Sequence, residues 1–143
     1  MSPDASDLQE AVARFVRAFG LHRPDRTPCG QPVPVSEAHA LGELARHGEL
    51  RQSELARRLS LEKSTTSRLV GQLVERGWLK RLPAPEDGRG VLLRLTSAGE
   101  GAAARLAEAR RKRFQAALDR VPPEEHDAVL RALTLLTGAV DEE

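Results

Sequence analysis

The chain has 143 residues, 40% hydrophobic and 30% charged, with one Cys and a net charge of +1. That mixture describes one soluble globular domain and excludes a wholly disordered chain. A single Cys excludes a disulfide framework within the chain, and the acidic Met1-Ser2-Pro3-Asp4 start has no apolar segment after it, so a cytoplasmic setting is expected.

The longest uncharged run, Thr27 to Ser36, is rich in Pro. It falls well short of the roughly 20 apolar residues of a membrane span, so no membrane partner is expected. Aromatic residues are 3% of the chain and Tyr is missing, so the core must be aliphatic.

Residues 5–21 carry Leu8, Val12, Phe15, Val16 and Phe19 at helical spacing, closed by Gly20 and Pro24. Four prolines then mark 22–35 as an extended connection. A second helix is expected over 36–47, capped by Ser36, with Glu37 facing the helix dipole and a stripe of Ala38, Leu41, Leu44 and Ala45. A short helix follows at about 52–59, with Leu55, Ala56 and Leu59 inward. After the tight Ser60-Leu61 connection, 62–76 reads as a helix whose apolar face is Leu69, Val70, Leu73 and Val74.

The period then changes. Trp78, Leu79 and Leu82 read as a short strand, 83–90 as a Pro/Gly turn, and Val91 to Leu95 as the returning strand. Thr96 can cap a long helix over 97–120, and a last helix over 123–140 carries Val129, Leu130, Leu133, Leu136 and Val140. The expected class is mainly α: a winged helix-turn-helix lobe with long N- and C-terminal helices.

Charge is unevenly spread. Residues 51–94 hold ten bases against five acids, a net of +5, while the rest of the chain nets −4. A basic middle between acidic flanks favours a polyanionic partner. The second helix of the pair opens with Lys63, Ser64, Thr65, Thr66, Ser67 and Arg68, all polar, and its apolar face begins only at Leu69. Consecutive hydroxyl residues are poor helix formers, and packing alone would not favour them. They suit a helix whose N-terminal side chains reach base edges in a major groove. Arg89, between two glycines at the hairpin tip, suits a minor groove, and Asp87 can steady the tip.

These stretches carry a resemblance. Leu55-Ala56-Arg57-Arg58-Leu59, Ser64-Thr65-Thr66-Ser67-Arg68-Leu69-Val70 and Leu73 to Arg81 resemble the MarR family of bacterial transcription regulators. So does Asp87-Gly88-Arg89 followed by Leu95-Thr96-Ser97-Ala98-Gly99. The resemblance implies a homodimeric winged-helix repressor, or sometimes an activator. It implies binding to a pseudo-palindrome in double-stranded DNA, and release by a small molecule, an oxidant or a metal. By the same resemblance Ser64, Thr65, Ser67 and Arg68 match the recognition helix, Arg89 the wing arginine, and Gln52 and Ser53 the start of the supporting helix. Glu62 stands where the family usually has a capping Ser or Asp, and Glu is a weaker cap.

The apolar faces of 5–21 and of the last two helices exceed what a small lobe can cover, so a two-fold dimer is expected, with 5–35 and 97–143 dimerising and 36–96 binding DNA. Signal entry has several candidates. Cys29 reads as a buried small hydrophobe, a redox thiol or a metal ligand. His39, Glu43 and His47 share a helix face at i, i+4, i+8 and are weak metal candidates, although His47 also suits a helix C-terminus and His39 an interhelix polar contact. Trp78 reads as wing packing rather than a ligand shelf.

No cofactor is expected, and no phosphate loop, nucleophile elbow or zinc-protease motif points to an enzyme. The alternative reading is a winged helix that contacts another protein and not DNA.

Overall fold

A computed structural model describes residues 1–84 and 90–141. The chain divides into two compact units, Met1–Ala109 and Arg110–Glu143.

The first unit opens with α1 (Ala5–Phe19). Asp4 caps it: its side chain accepts from the Asp7 amide at 3.0 Å, while Asp7 accepts from the Asp4 amide at 2.9 Å. The Asp7 amide hydrogen bond holds the Asp4 carboxyl below the usual aspartate range. The helix closes on Gly20, at φ +94°. It buries none of its residues, and Leu8, Val12 and Phe15 stay exposed.

The connection to the second helix is turned rather than extended. Thr27 is buried, its hydroxyl accepts from the Gln31 amide, and its own amide donates to the Gln31 carbonyl. α2 (Val35–His47) begins one residue earlier than expected, with Pro34 in the cap position and no side-chain cap; Ser36 lies inside the first turn. Its inward face is Glu37, Ala38, Ala40, Leu41 and Leu44, and Ala45 is exposed. Glu37 joins the inward face, where it pairs with a cation from elsewhere in the fold, described below.

A strand absent from the sequence reading follows. β1 (Glu49–Arg51) runs directly into α3 (Gln52–Leu59). Three residues are too few to show a period. Ser60, at φ +54°, is the one non-glycine at positive φ among the described residues, and it makes the sharp turn after α3. α4 (Lys63–Glu75) then ends on Arg76 and Gly77, whose positive φ lets the Gly77 and Trp78 amides bond back to Val74 and Leu73.

β2 (Leu79–Pro83) and β3 (Val91–Leu95) form the wing, and the sheet order is β1-β3-β2, all antiparallel. β3 is therefore central, with Leu50 opposite Leu93 on one side and Leu79 opposite Leu95 on the other. Leu93 and Leu95 turn inward, while Arg94 turns out and pairs with Glu49 across the β1–β3 ladder. The core is aliphatic: Leu41, Leu44, Leu55, Val70, Leu73 and Leu93 are all fully buried.

Thr96 caps α5 (Ser97–Asp119) as expected, accepting from the Gly99 amide at 3.0 Å while its hydroxyl donates to the Gly77 carbonyl at 2.6 Å. Gly99 is required here, since a Cβ at this position would lie 2.0 Å from the Trp78 carbonyl oxygen.

The second unit holds the end of α5, a 3-10 turn at Pro123–Glu125 and α6 (His126–Val140). His126 Nε2 lies 3.0 Å from the Leu118 carbonyl and 2.9 Å from that of Val121, which fixes the turn between the helices. α6 buries no residue, and Val129, Leu130, Leu133, Leu135 and Val140 are exposed.

Candidate nucleic-acid interface

α3 and α4 form the helix-turn-helix, and the polar half of α4 divides sharply by burial. Lys63, Ser64, Thr65, Ser67 and Arg68 are exposed. Leu69, Val70 and Leu73 anchor the opposite face in the core. A helix held rigidly along one side thus presents hydroxyls and cations along the other.

Thr66 departs from the sequence expectation. It is fully buried, and its hydroxyl donates to the Glu62 carbonyl at 2.9 Å. One turn ahead of Val70, it sits on the core side of the helix, so it packs rather than reads bases. The Glu62 side chain makes no capping bond; its carbonyl accepts from both the Thr66 amide and hydroxyl.

Below the start of α4 the chain leaves a cleft of about 430 Å³, lined by Arg51, Gln52, Ser53, Ala56, Lys63, Thr66, Gly90 and Val91. The structure thus gathers Gln52, Ser53 and Lys63, which the sequence singled out, at the meeting of α3, α4 and the wing. Arg51 was missed. A base directly before the supporting helix was its available mark, but only the fold shows that it lines this cleft. The Gln52 Oε1 is buried there and has no hydrogen-bond partner among the described residues. Asp87 and Arg89 lie outside the described residues.

Neighbouring charges are paired. Glu54 bonds Arg57 and Arg58, and the Arg57 hydrogen bond holds its carboxyl below the usual range. Glu43 lies 3.2 Å from Arg46, 3.4 Å from His47 and 3.8 Å from Arg58. His39 is exposed, and among the described residues no group of three ligating side chains converges, so the geometry adds no support to the metal expectation for His39, Glu43 and His47. Cys29 is half-buried in the turn before α2.

Trp78 packs on the core as expected, and the Arg76 guanidinium lies over its ring at 5.1 Å. Arg76 also donates from Nε to Glu37 at 2.6 Å, which joins the end of α4 to the start of α2. Among the described residues, no helix is long and apolar enough to cross a membrane.

Residues 31–90 match the sequence profile of the MarR family. An uncharacterized HTH-type transcriptional regulator of Mycobacterium bovis is 30% identical over 138 residues, covering 96% of this chain and 93% of its own. Two solved structures share the fold. FabT of Streptococcus pneumoniae, in complex with DNA, has a TM-score of 0.78 at 18% identity, covering 96% of this chain and 97% of that one. The PcaV transcriptional regulator of Streptomyces coelicolor, in complex with its natural ligand, has a TM-score of 0.76 at 23% identity, covering 99% of each chain. The Mycobacterium bovis relative and PcaV are both named as transcriptional regulators. The chain belongs to the MarR family of winged helix-turn-helix, DNA-binding transcriptional regulators.

Proposed function

We propose that the chain acts as a homodimeric repressor on a pseudo-palindromic operator and is released by a small-molecule or redox signal. The observation that carries the DNA reading is the division of α4, with Lys63, Ser64, Thr65, Ser67 and Arg68 outward and Leu69, Val70 and Leu73 inward. In this reading Ser64, Thr65, Ser67 and Arg68 meet base edges in a major groove, and Gln52, Ser53 and Lys63 meet phosphates. Arg89 enters the adjoining minor groove, with Asp87 steadying the tip.

The dimer reading rests on two apolar faces, each considered within its own unit. α1 exposes Leu8, Val12 and Phe15, and α6 exposes Val129, Leu130 and Leu133. A second copy covers both in a two-fold arrangement and sets two recognition helices about 34 Å apart, one turn of duplex. Residues 5–35 and 97–143 serve dimerisation, and 36–96 binds DNA.

Selection of bound sequences from random duplexes, followed by a salt titration, tests this. A two-fold symmetric consensus is expected, with affinity falling steeply with salt through counterion release. A chain that enriches no sequence, or whose binding ignores salt, would refute the reading and favour a protein-binding role for the wing.

A further inference from the structure

α4 carries its cations early, at Lys63 and Arg68, and its second half, Leu69 to Glu75, has only Gln72 and Glu75 as polar side chains. Gly71 lies opposite the buried Leu69 and Leu73, one turn on from Ser67 and Arg68. Its φ is not positive, so no turn requires a glycine there. Glycine weakens a helix interior, yet here the missing side chain leaves room for a neighbour. A Cβ at Gly71 would meet Nη2 of Arg81 at 3.7 Å.

Arg81 comes from β2, an edge strand. Its ladder partner Leu93 is buried, as is Leu79 two residues earlier, so Arg81 leaves the face of the sheet that packs inward. It runs out past the core and ends exposed, with its guanidinium beside Gly71. Among the described residues no hydrogen bond or ion pair holds Arg81. A cation from the wing thus stands on the recognition helix where the helix has none of its own.

We propose that Arg81 is a DNA-contact residue, placed beside Gly71 to grip a backbone phosphate. This role rests on the operator reading above and adds to it a residue from the wing strand. The direction of approach selects phosphate over a base edge. The major groove is about 12 Å wide and a helix with its side chains about 10–12 Å across, so the helix fills the groove and base edges lie ahead of it. A side chain that arrives from a neighbouring strand meets the groove wall, which is phosphate and sugar. A guanidinium fork matches a phosphate by paired hydrogen bonds. Glu75, exposed one turn beyond Gly71, marks where the positive stretch ends.

The test uses the full-length protein and two labelled duplexes, one that the parent enriches from random sequence and a scramble of it. Anisotropy titrations at several salt concentrations give the affinity and its salt slope. Arg81→Gln is expected to weaken both duplexes alike, about tenfold per bound chain near about 0.1 M salt, and to reduce the slope of log K against log salt by about 1 per chain. Arg81→Lys keeps the charge and is expected to keep the slope, with affinity within about threefold of the parent. Unchanged affinity in Arg81→Gln would overturn the contact. Equal losses in Arg81→Gln and Arg81→Lys with the slope unmoved would also overturn it, and would assign Arg81 to holding β2 against α4. A loss confined to the enriched duplex would overturn the phosphate assignment and make Arg81 a base reader. A parent that binds no duplex would refute the operator reading and this contact together, whereas a parent that binds, with Arg81→Gln unaltered, would refute the contact alone.

Discussion

The Nε of Arg76 donates to Oε1 of Glu37 at 2.6 Å, joining residues 39 positions apart in sequence. The carboxylate is almost fully buried, at 3% side-chain exposure, while Arg76 is 38% exposed. Removing one partner of a buried pair leaves an uncompensated charge, but solvent reaches this cation and softens the cost. Arg76→Ala is therefore expected to lose about 2 kcal/mol in urea denaturation, the range for hydrogen bonds to charged groups. The double change with Glu37→Gln should recover part of it. An Arg76→Ala protein as stable as the parent would show that the pair contributes nothing.

Gly99 meets the backbone of Trp78, not a movable side chain. Gly99→Ala must push α5 away from the start of the wing. A loss of about 2 kcal/mol is expected from overpacking, with an altered Trp78 emission spectrum. Wild-type stability and emission would mean that the two segments separate without cost.

Thr66 and Ser67 are adjacent hydroxyls with opposite surroundings. Thr66→Val deletes a buried bond to the Glu62 carbonyl and should cost about 1 kcal/mol of stability with duplex affinity nearly unchanged. Ser67→Ala should leave stability alone and weaken the duplex, and Arg68→Ala should cost about 1–3 kcal/mol of binding. The comparison is made by denaturation and by titration of a labelled operator. The reverse pattern would mean that α4 is docked with the other face toward DNA.

The apolar face of α6 offers a test of assembly. Leu133 is half exposed in the single chain, so Leu133→Glu should not disturb the fold of one copy. It should shift sedimentation from dimer toward monomer, because an unpaired carboxylate cannot be buried cheaply between copies. A Leu133→Glu protein that sediments unchanged would remove this face from the interface.

Asp4 gives a pH signature. Its carboxyl titrates below the usual range in the folded state, so its contribution is complete above the unfolded value and fades as pH falls through the folded one. Hydrogen-exchange protection near the start of α1, taken relative to the intrinsic rate at each pH, should therefore fall at acid pH. Asp4→Asn, which still caps but cannot titrate, should flatten that dependence. The same acid response in Asp4→Asn would assign it to another group.

Much of the lobe was legible because its markers are local. The shift from helical spacing to alternation at Trp78, the hydroxyl run ahead of Leu69, and the Thr96 cap each lie within one turn or strand. What was misread depends on distant partners. Thr66 looked like its neighbours, and only the packing of α4 turned it inward. Ser36 looked like a cap, yet the turn closed by Thr27 and Gln31 delivers the chain to the helix at Val35. β1 exists only because β3 offers it a free edge.

The sequence by itself determined the helices, the two wing strands, the aliphatic core and the apolar face of α4, because apolar spacing and capping chemistry act over a few residues. Only the tertiary structure decided that Glu37 and Arg76 share one joint, that Thr66 packs inward, and that Arg51 borders the cleft at the start of α4. Those relations join residues distant in the chain, and burial and charge pairing are properties of the space between elements.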